Sequence, residues 1–301
     1  MSIIKKIKIS VIFLGLTFVG YSQSNIRLNN FVENTYNINP ASIKFDYFAE
    51  FSIASRKQWM SLPGSPLTFF AYGTAYIESK KTQIGIKLLQ DKIGFTSNTD
   101  IDISYAYSVK LDRKWRLNLG LAGSYQMTTY DLSKLFPTVS DPTVSSLLVD
   151  ENNFNADFGL EFTSKSLRFG ASSQNILSLF NENQFSNTNY IYAMYRQNRD
   201  ELINLGVGIC GINYGDFLQA ELNLTSYINL SKDNDLLRLG LFYRTLSEMG
   251  VVMGVDLSNL MSITYSYDFS LGGVTKNSIG THELVLSYKL NKIFKCRNCP
   301  D

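Results

Sequence analysis

The chain has 301 residues, of which 45% are hydrophobic and 18% are charged, and its formal net charge is +2. This near-balanced charge does not indicate binding to nucleic acid. A helical membrane protein is excluded, because after the N-terminus no apolar run reaches the span length of about 18 residues. A transmembrane β-barrel alternates apolar and polar side chains, so a middling average hydropathy is typical of it.

The first predicted element is a secretory signal peptide over residues 1–22. Three lysines precede a short apolar core at residues 9–19, and Gly20-Tyr21-Ser22 offers small residues for cleavage. The alternative, an uncleaved membrane anchor, is disfavoured because the core is too short for a comfortable helical span. Export fits the outer membrane of a Gram-negative bacterium.

Residues 23–44 form a polar, asparagine-rich segment that contains Asn39-Pro40-Ala41. Its apolar residues do not recur at a regular spacing. Two interpretations stay open. The segment is either an extended periplasmic or lumenal piece that packs inside or under the following domain, or a disordered lead-in.

The remainder of the chain is read as strands, most clearly over residues 99–129. Apolar and polar residues alternate there on both sides of a short polar turn at 111–114, as paired strands with one oily face require. Each strand runs to about ten residues or more, which suits a tilted crossing of a bilayer. The predicted strands are 45–59, 67–77, 82–92, 99–110, 115–129, 153–163, 167–174, 189–196, 202–210, 217–230, 236–244, 250–257, 260–269 and 281–290.

These segments predict an all-β fold, a single-chain transmembrane outer-membrane β-barrel of about 14 antiparallel strands over residues 45–290. An even strand number puts both termini, including the tail 291–301, in the periplasm. Connections after even strands are short, whereas those after odd strands are mostly longer, with 245–249 a short exception. A soluble β-sandwich has no reason to sort its loops in this way, so the asymmetry favours the barrel.

The polar face of the strands carries both signs of charge, which predicts a lumen filled by paired side chains. A ring of a single sign would instead indicate an ion filter, so a selective channel is the less favoured alternative. The predicted lumenal residues are Asp46, Glu50, Arg56, Asp102, Lys110, Arg116, Asp157, Glu161, Glu221, Arg238, Arg244, Asp256 and Asp268.

Few residues indicate a catalytic or metal-binding role. His282, the sole histidine, falls on the apolar face near the outer end of its strand, where a packing role is favoured over a hydrolase triad. Cys296-x-x-Cys299 has no second pair and no nearby histidine, so it is a weak zinc signal. Cys210 is interpreted as a small buried side chain. The sequence thus predicts no enzyme, catalytic residue, metal or cofactor.

Several segments together resemble the PorP/SprF family, in matching order over nearly the whole mature chain. They are Asn39-Pro40-Ala41, Arg56-Lys57-Gln58-Trp59 with Pro63-Gly64-Ser65-Pro66-Leu67-Thr68, Asp91-Lys92-Ile93-Gly94-Phe95-Thr96-Ser97-Asn98-Thr99, Tyr265-Ser266-Tyr267-Asp268-Phe269 and Gly280-Thr281-His282-Glu283-Leu284. The chain departs from the family pattern after Asn39-Pro40-Ala41, where the usual glycine is missing, and at Met60-Ser61-Leu62.

The resemblance implies a non-catalytic outer-membrane barrel of the type IX secretion and gliding-motility machinery. It implies as partners a secreted surface adhesin with a type B C-terminal sorting domain, a periplasmic lipoprotein or peptidoglycan-binding protein, and outer-membrane lipid, but no nucleic acid. The alternative is an outer-membrane porin or hydrophobic-solute transporter. The candidate partner-binding residues are Arg56, Gln58, Trp59, Asp91, Lys92, Asn39 and Pro40.

Overall fold

A computed structural model of the chain describes residues 28–29, 31–131, 150–180, 186–199, 201–215, 217–231, 234–245, 248–271 and 278–291. The predicted signal peptide and almost all of the predicted tail, with Cys296 and Cys299, lie outside the described residues. The described chain begins with one helical turn, α1 (Thr35–Ile38). The strands are β1 (Tyr47–Lys57), β2 (Leu67–Ile77), β3 (Thr82–Ile93), β4 (Thr96–Lys110), β5 (Arg116–Tyr130), β6 (Glu151–Thr163), β7 (Leu167–Gln174), β8 (Thr188–Arg196), β9 (Ile203–Tyr214), β10 (Phe217–Ser231), β11 (Asn234–Arg244), β12 (Glu248–Asp256), β13 (Met261–Ser270) and β14 (Thr281–Asn291).

The described strands form a closed antiparallel barrel in which each strand pairs with its neighbours in the sequence. Pairing of β1 with β14, from Tyr47 opposite Asn291 to Lys57 opposite His282, closes the wall. Closure leaves no strand edge unpaired, which is the condition for a sheet to cross a bilayer. The predicted fold of about 14 antiparallel strands is confirmed. No helix in the described part of the chain is long and apolar enough to span a membrane.

The two faces of the wall have opposite character. In β4, Asp102 and Ser104 are buried, whereas Ile103 is 70% and Tyr105 is 52% exposed. Large apolar side chains are exposed in this way on every strand around the barrel. A water-soluble protein hides such residues, so this outer surface fits contact with lipid.

Two predicted face assignments were wrong at the start of β1, those of Phe45 and Tyr47, which both line the interior of the barrel. A β-bulge shifts the register between Tyr47 and Ala49, so the side-chain alternation changes phase there. Phe45, which the pattern put on the same face as Ile53, therefore packs inside, with its ring 5.1 Å from that of Tyr76.

The connections separate the two ends of the barrel. The end at which β1 begins and β14 ends, called the terminal end, carries the connections 78–81, 111–115, 164–166, 197–202, 232–233 and 257–260. The opposite, loop end carries every long connection: 58–66, 131–150, 175–187 and 271–280. The predicted separation of short and long connections between the two ends is incomplete, however. The loop-end connections at 94–95 and 215–216 are also short, each with a glycine at positive φ. Lys110, predicted to line the lumen, is instead exposed at the terminal end, whereas Asp46 is exposed there but lines the lumenal cavity as predicted.

Candidate functional site

Residues 28–29 and 31–44 lie inside the barrel and are called the plug. Near the loop end, the backbone N–H of Asn29 donates to Glu283 at the beginning of β14. Near the terminal end, Ser42 accepts from Arg168 through its hydroxyl and from Gln83 through its carbonyl oxygen. The plug therefore runs the length of the lumen before the chain enters β1.

Arg244 holds the loop end of the plug. Its Nη2 donates to the carbonyl oxygen of Asn29 at 2.9 Å and its Nη1 donates to Asn29 Oδ1 at 3.2 Å. The remaining donors reach wall carboxylates, Glu221 at 2.7 Å and Glu248 at 3.0 Å. Because the guanidinium is almost fully buried, these charge-assisted bonds tie plug and wall together without competition from water.

Aromatic packing fills the middle of the lumen. The hydroxyl of Tyr36 hydrogen-bonds to Ser104 at 2.7 Å, and its ring centroid lies 5.1 Å from that of Tyr72. On the other side of the plug, two buried residues, Phe31 and Ile38, join a wall cluster consisting of Tyr190, Tyr192, Met194, Cys210 and Ile212. The plug thus shares a small apolar core with the barrel, although most of the lumenal surface is polar.

Asn39 and Pro40, two of the candidate partner-binding residues, lie in the plug. Asn39 Nδ2 donates to the carbonyl oxygen of Leu160 and to the hydroxyl of Tyr192, both at 3.1 Å. Its Oδ1 accepts the N–H of Ala41 at 2.8 Å, which forms a local turn. Both residues are buried against the wall, and a role in binding a separate partner stays a prediction.

Two glycines in the wall make room for this turn. A Cβ at Gly159 would lie 2.0 Å from Asn39 Oδ1, and one at Gly120 would lie 2.4 Å from the backbone nitrogen of Ala41. Such distances are far below van der Waals contact, so only glycine fits at either position. The plug and the wall are therefore complementary in shape at this level of the lumen.

The other five candidate residues meet on the loop-end part of β1 to β3, called the rim. Arg56 lies inside, 3.9 Å from both Asp268 and Glu283, and donates to Gln58 Oε1 at 3.2 Å. The structure thus brings together residues from segments that are far apart in the sequence. All four of these side chains are buried, and a role of Arg56 and Gln58 in binding a partner stays a prediction.

Asp91 and Lys92 differ in exposure although they are neighbours in the chain. Asp91 is buried and accepts a 2.5 Å hydrogen bond from the hydroxyl of Thr68, whereas Lys92 is exposed. Trp59 is partly exposed and has a φ of 49°, a left-handed conformation that is uncommon for a bulky residue. Among the candidates, Trp59 and Lys92 are therefore the two with surface available to a partner.

Backbone hydrogen bonds fix the loop that carries Trp59. Met60 donates to the carbonyl oxygen of Gly280 at 2.8 Å and accepts from the N–H of Ile279 at 3.0 Å. On its other side, Gly64 accepts from the N–H of Gly94 at 2.9 Å. The loop is held at both sides, so the exposed rim residues are presented on a defined backbone.

The plug contacts of Arg244 and Tyr192 were not foreseen. Arg244 was placed on the lumenal face, but the sequence carries no local signal that its partner is Asn29, 215 positions away. The asparagine-rich composition of residues 23–44 was the available hint, because buried asparagines need hydrogen-bond partners.

Two of the residues considered for chemistry, His282 and Cys210, lie in the described part of the chain. His282 Nδ1 lies 2.6 Å from the hydroxyl of Tyr265, and its ring packs 5.1 Å from that of Tyr267. Cys210 is a buried free thiol. No group of three or more His, Cys, Asp or Glu side chains that could hold a metal occurs among the described residues.

Comparisons with known proteins point to a family. The family described as type IX secretion system membrane protein PorP/SprF matches residues 21–288. Nothing among the curated proteins matches. The chain is similar in structure to a deltaS2S3 mutant of the monoaromatic hydrocarbon channel TodX, with 10% identity over 86% of this chain and 94% of that one and a TM-score of 0.53.

Two further solved structures are similar in fold. The Pseudomonas putida toluene transporter TodX has 11% identity over 85% of this chain and 93% of its own, with a TM-score of 0.49. The Acinetobacter baumannii outer membrane protein Omp33 has 10% identity over 81% and 98%, with a TM-score of 0.47. At these identities the likeness concerns the barrel fold alone.

Proposed function

This chain belongs to the PorP/SprF family of type IX secretion system membrane proteins, and we propose that it works there without catalysis, assisting the secretion or surface anchoring of a cognate adhesin. The proposed cargo is a surface adhesin with a type B C-terminal sorting domain. The outer-membrane location and the role in type IX secretion come from the family and the barrel, whereas the adhesin is part of the proposal.

The orientation of the barrel supports this assignment. Outer-membrane barrels keep their short turns in the periplasm and send long loops outwards. The terminal end therefore faces the periplasm and the loop end faces outside. The rim, with Trp59 and Lys92 accessible, is then on the side where a surface adhesin would be held.

The observation that carries the proposal is the plug. Hydrogen bonds at both ends and apolar packing between them fill the lumen with the protein's own chain. A barrel filled in this way suits a binding and anchoring role better than the conduction of solutes. Porin or hydrophobic-solute transport, the alternative, needs an open or gated lumen, and the hydrocarbon-channel structures share only the fold.

Deletion of the chain tests the proposed function. We expect surface display of one adhesin to be lost, while other type IX substrates still reach the medium. Antibody labelling of intact cells and mass spectrometry of the medium measure the two outcomes. Display that is unaltered in the deletion strain would reject the proposal.

A double substitution tests the rim. Trp59→Ala with Lys92→Ala is expected to reduce adhesin display about tenfold, because truncating an aromatic anchor at an interface costs about 1–2 kcal/mol or more. The matched control is Lys110→Ala with Leu111→Ala, an exposed cation and apolar residue at the periplasmic end. Equal display in both variants, with both barrels folded, would assign the adhesin to another surface.

We also propose a periplasmic partner, a lipoprotein or a peptidoglycan-binding protein, at the terminal end. An affinity pull-down of the full chain from outer membranes, with the bound proteins identified, tests this. Recovery of the cognate adhesin and of such a periplasmic protein is the expected result. Recovery of neither after chemical cross-linking would contradict it.

A further inference from the structure

Below the plug, the lumen opens at the terminal end into a cavity of about 1060 Å³, called the vestibule. Plug residues 43–44 and the turns 164–166 and 197–199 are among the segments that line it. The vestibule belongs to the aqueous lumen and lies on the opposite side of the wall from the lipid-facing surface. Its size is sufficient for a short segment of another chain.

The vestibule is strongly positive, although the chain as a whole has a net charge of only +2. Among the described residues that line it, nine are cationic and three are acidic. The acidic residues are Glu33, Asp46 and Asp256. The cationic residues are Lys44, Lys114, Arg116, Lys165, Arg168, Arg196, Arg199, Arg238 and Lys289.

Several of these cations are positioned by aromatic rings. The guanidinium carbon of Arg196 lies 3.9 Å from the ring centre of Tyr227, and that of Arg116 lies 4.6 Å from the ring centre of Phe45. The Lys289 ammonium lies 5.0 Å from the ring centre of Tyr47. Stacking fixes the position of a cation without neutralising its charge, so the head groups still present a positive field.

Carboxylates compensate only part of the charge. Among the described residues, four of the cations form ion pairs: Lys44 with Glu50, Arg168 with Glu161, Arg199 with Glu201, and Arg238 with Asp256. Within the described chain, Lys114, Lys165 and Lys289 make no ion pair within 4 Å. The excess positive charge therefore remains available to a ligand.

The positive charge of the vestibule also affects Glu33, which lies at its roof. Burial by itself raises the pKa of the Glu33 carboxyl, but the nearby Arg238, Lys44, Lys289 and Arg196 outweigh this effect and hold the pKa below its ordinary value. A carboxylate is thus the form that this environment favours.

We propose that the vestibule binds an acidic peptide segment, a run of Asp and Glu residues in a periplasmic partner. Guanidinium groups bind carboxylates through paired hydrogen bonds, and a lumen lined by cations attracts and retains such a segment. A lipid headgroup is less suitable, because the bilayer contacts only the outside of the wall. This inference rests on the proposed function for its orientation, and it adds the chemistry by which the periplasmic partner is recognised.

Binding of synthetic peptides to the purified full chain in neutral detergent tests the inference. The probe is a fluorescein-labelled peptide of alternating Asp and Gly residues, compared with the same peptide carrying Asn in place of Asp. We expect fluorescence anisotropy to show binding of the Asp peptide only, weakening at least roughly tenfold between ~0.05 and ~0.5 M salt because of screening.

A matched pair of variants locates the site. The triple variant K114Q, K165Q and K289Q removes three unpaired vestibule charges, and we expect it to weaken binding at least tenfold. The control triple variant K80Q, K81Q and K110Q removes three exposed lysines at the same end of the barrel but outside the vestibule, and it should bind as the unaltered chain does.

Equal affinity for the Asp and Asn peptides would overturn the inference, and so would equal weakening in both triple variants. Binding of tripolyphosphate or of anionic phospholipid vesicles without binding of the Asp peptide would also overturn it, because the ligand class would then be a phosphate. None of these results bears on adhesin display in the deletion strain, so the proposed function is tested separately.

Discussion

Replacing Arg244 with methionine is expected to destabilise the folded barrel by about 3–5 kcal/mol, the usual cost of breaking a buried ion pair from one side. Methionine has a similar volume but donates no hydrogen bond. The carbonyl oxygen of Asn29 and the carboxylates of Glu221 and Glu248 would lose the guanidinium that binds them. The effect should be large because the site is closed to water, which otherwise replaces lost partners.

Urea unfolding in detergent, followed by tryptophan fluorescence, measures this loss as a lower midpoint at unchanged slope. The matched control is Arg199→Gln, which breaks a pair with Glu201 whose side chains are 62% and 58% exposed. An exposed pair is worth about 0–1 kcal/mol, so the control midpoint should scarcely move. Similar midpoints for the two variants would show that the Arg244 network does not hold the plug in the lumen.

The second large effect is expected from Gly120→Val, which should unblock the lumen of the barrel. The new Cβ would fall 2.4 Å from the backbone nitrogen of Ala41, and backbone cannot yield as a flexible side chain can. The plug must then leave its position, while the β-ladders of the wall persist. We expect the unaltered chain to be nearly silent in planar bilayers and the variant to conduct.

Gly123→Val is the matched control, since it lies on the same strand and its Cβ would meet nothing within 4 Å. It should be as silent as the unaltered chain. Strong conductance by the unaltered chain would favour the porin alternative over the proposed anchoring role. A silent Gly120→Val barrel that folds normally would mean that the plug can shift without unblocking the lumen.

The barrel was predictable because its signal is local. Alternation of Ile101, Ile103 and Tyr105 with polar neighbours marks a strand, and repetition of that pattern marks the wall. Both bounds of β2 and β7 were predicted as the structure has them, and each of the other strands differs at one or both ends by a few residues. Phe45 was assigned to the wrong face because the alternation of apolar and polar residues does not reveal a β-bulge.

The rim was predictable only in part. Resemblance to a family selected Arg56, Trp59 and Lys92, but it did not separate buried from accessible side chains. Burial depends on loop conformation, here a left-handed Trp59 and a backbone pairing of Met60 with residues 279–280. Such conformations depend on contacts with other parts of the chain more than on the local sequence.

By itself, the sequence determined a closed wall with one oily and one polar face, because side chains two residues apart share a face whatever surrounds them. Only the tertiary structure decided that the plug lies in the lumen and that cations gather beneath it. Asn29 and Glu283 bond across 254 positions, and Arg116, Arg196 and Lys289 come from three different strands. Contacts of that range follow from the closure of the barrel, which no single stretch of residues encodes.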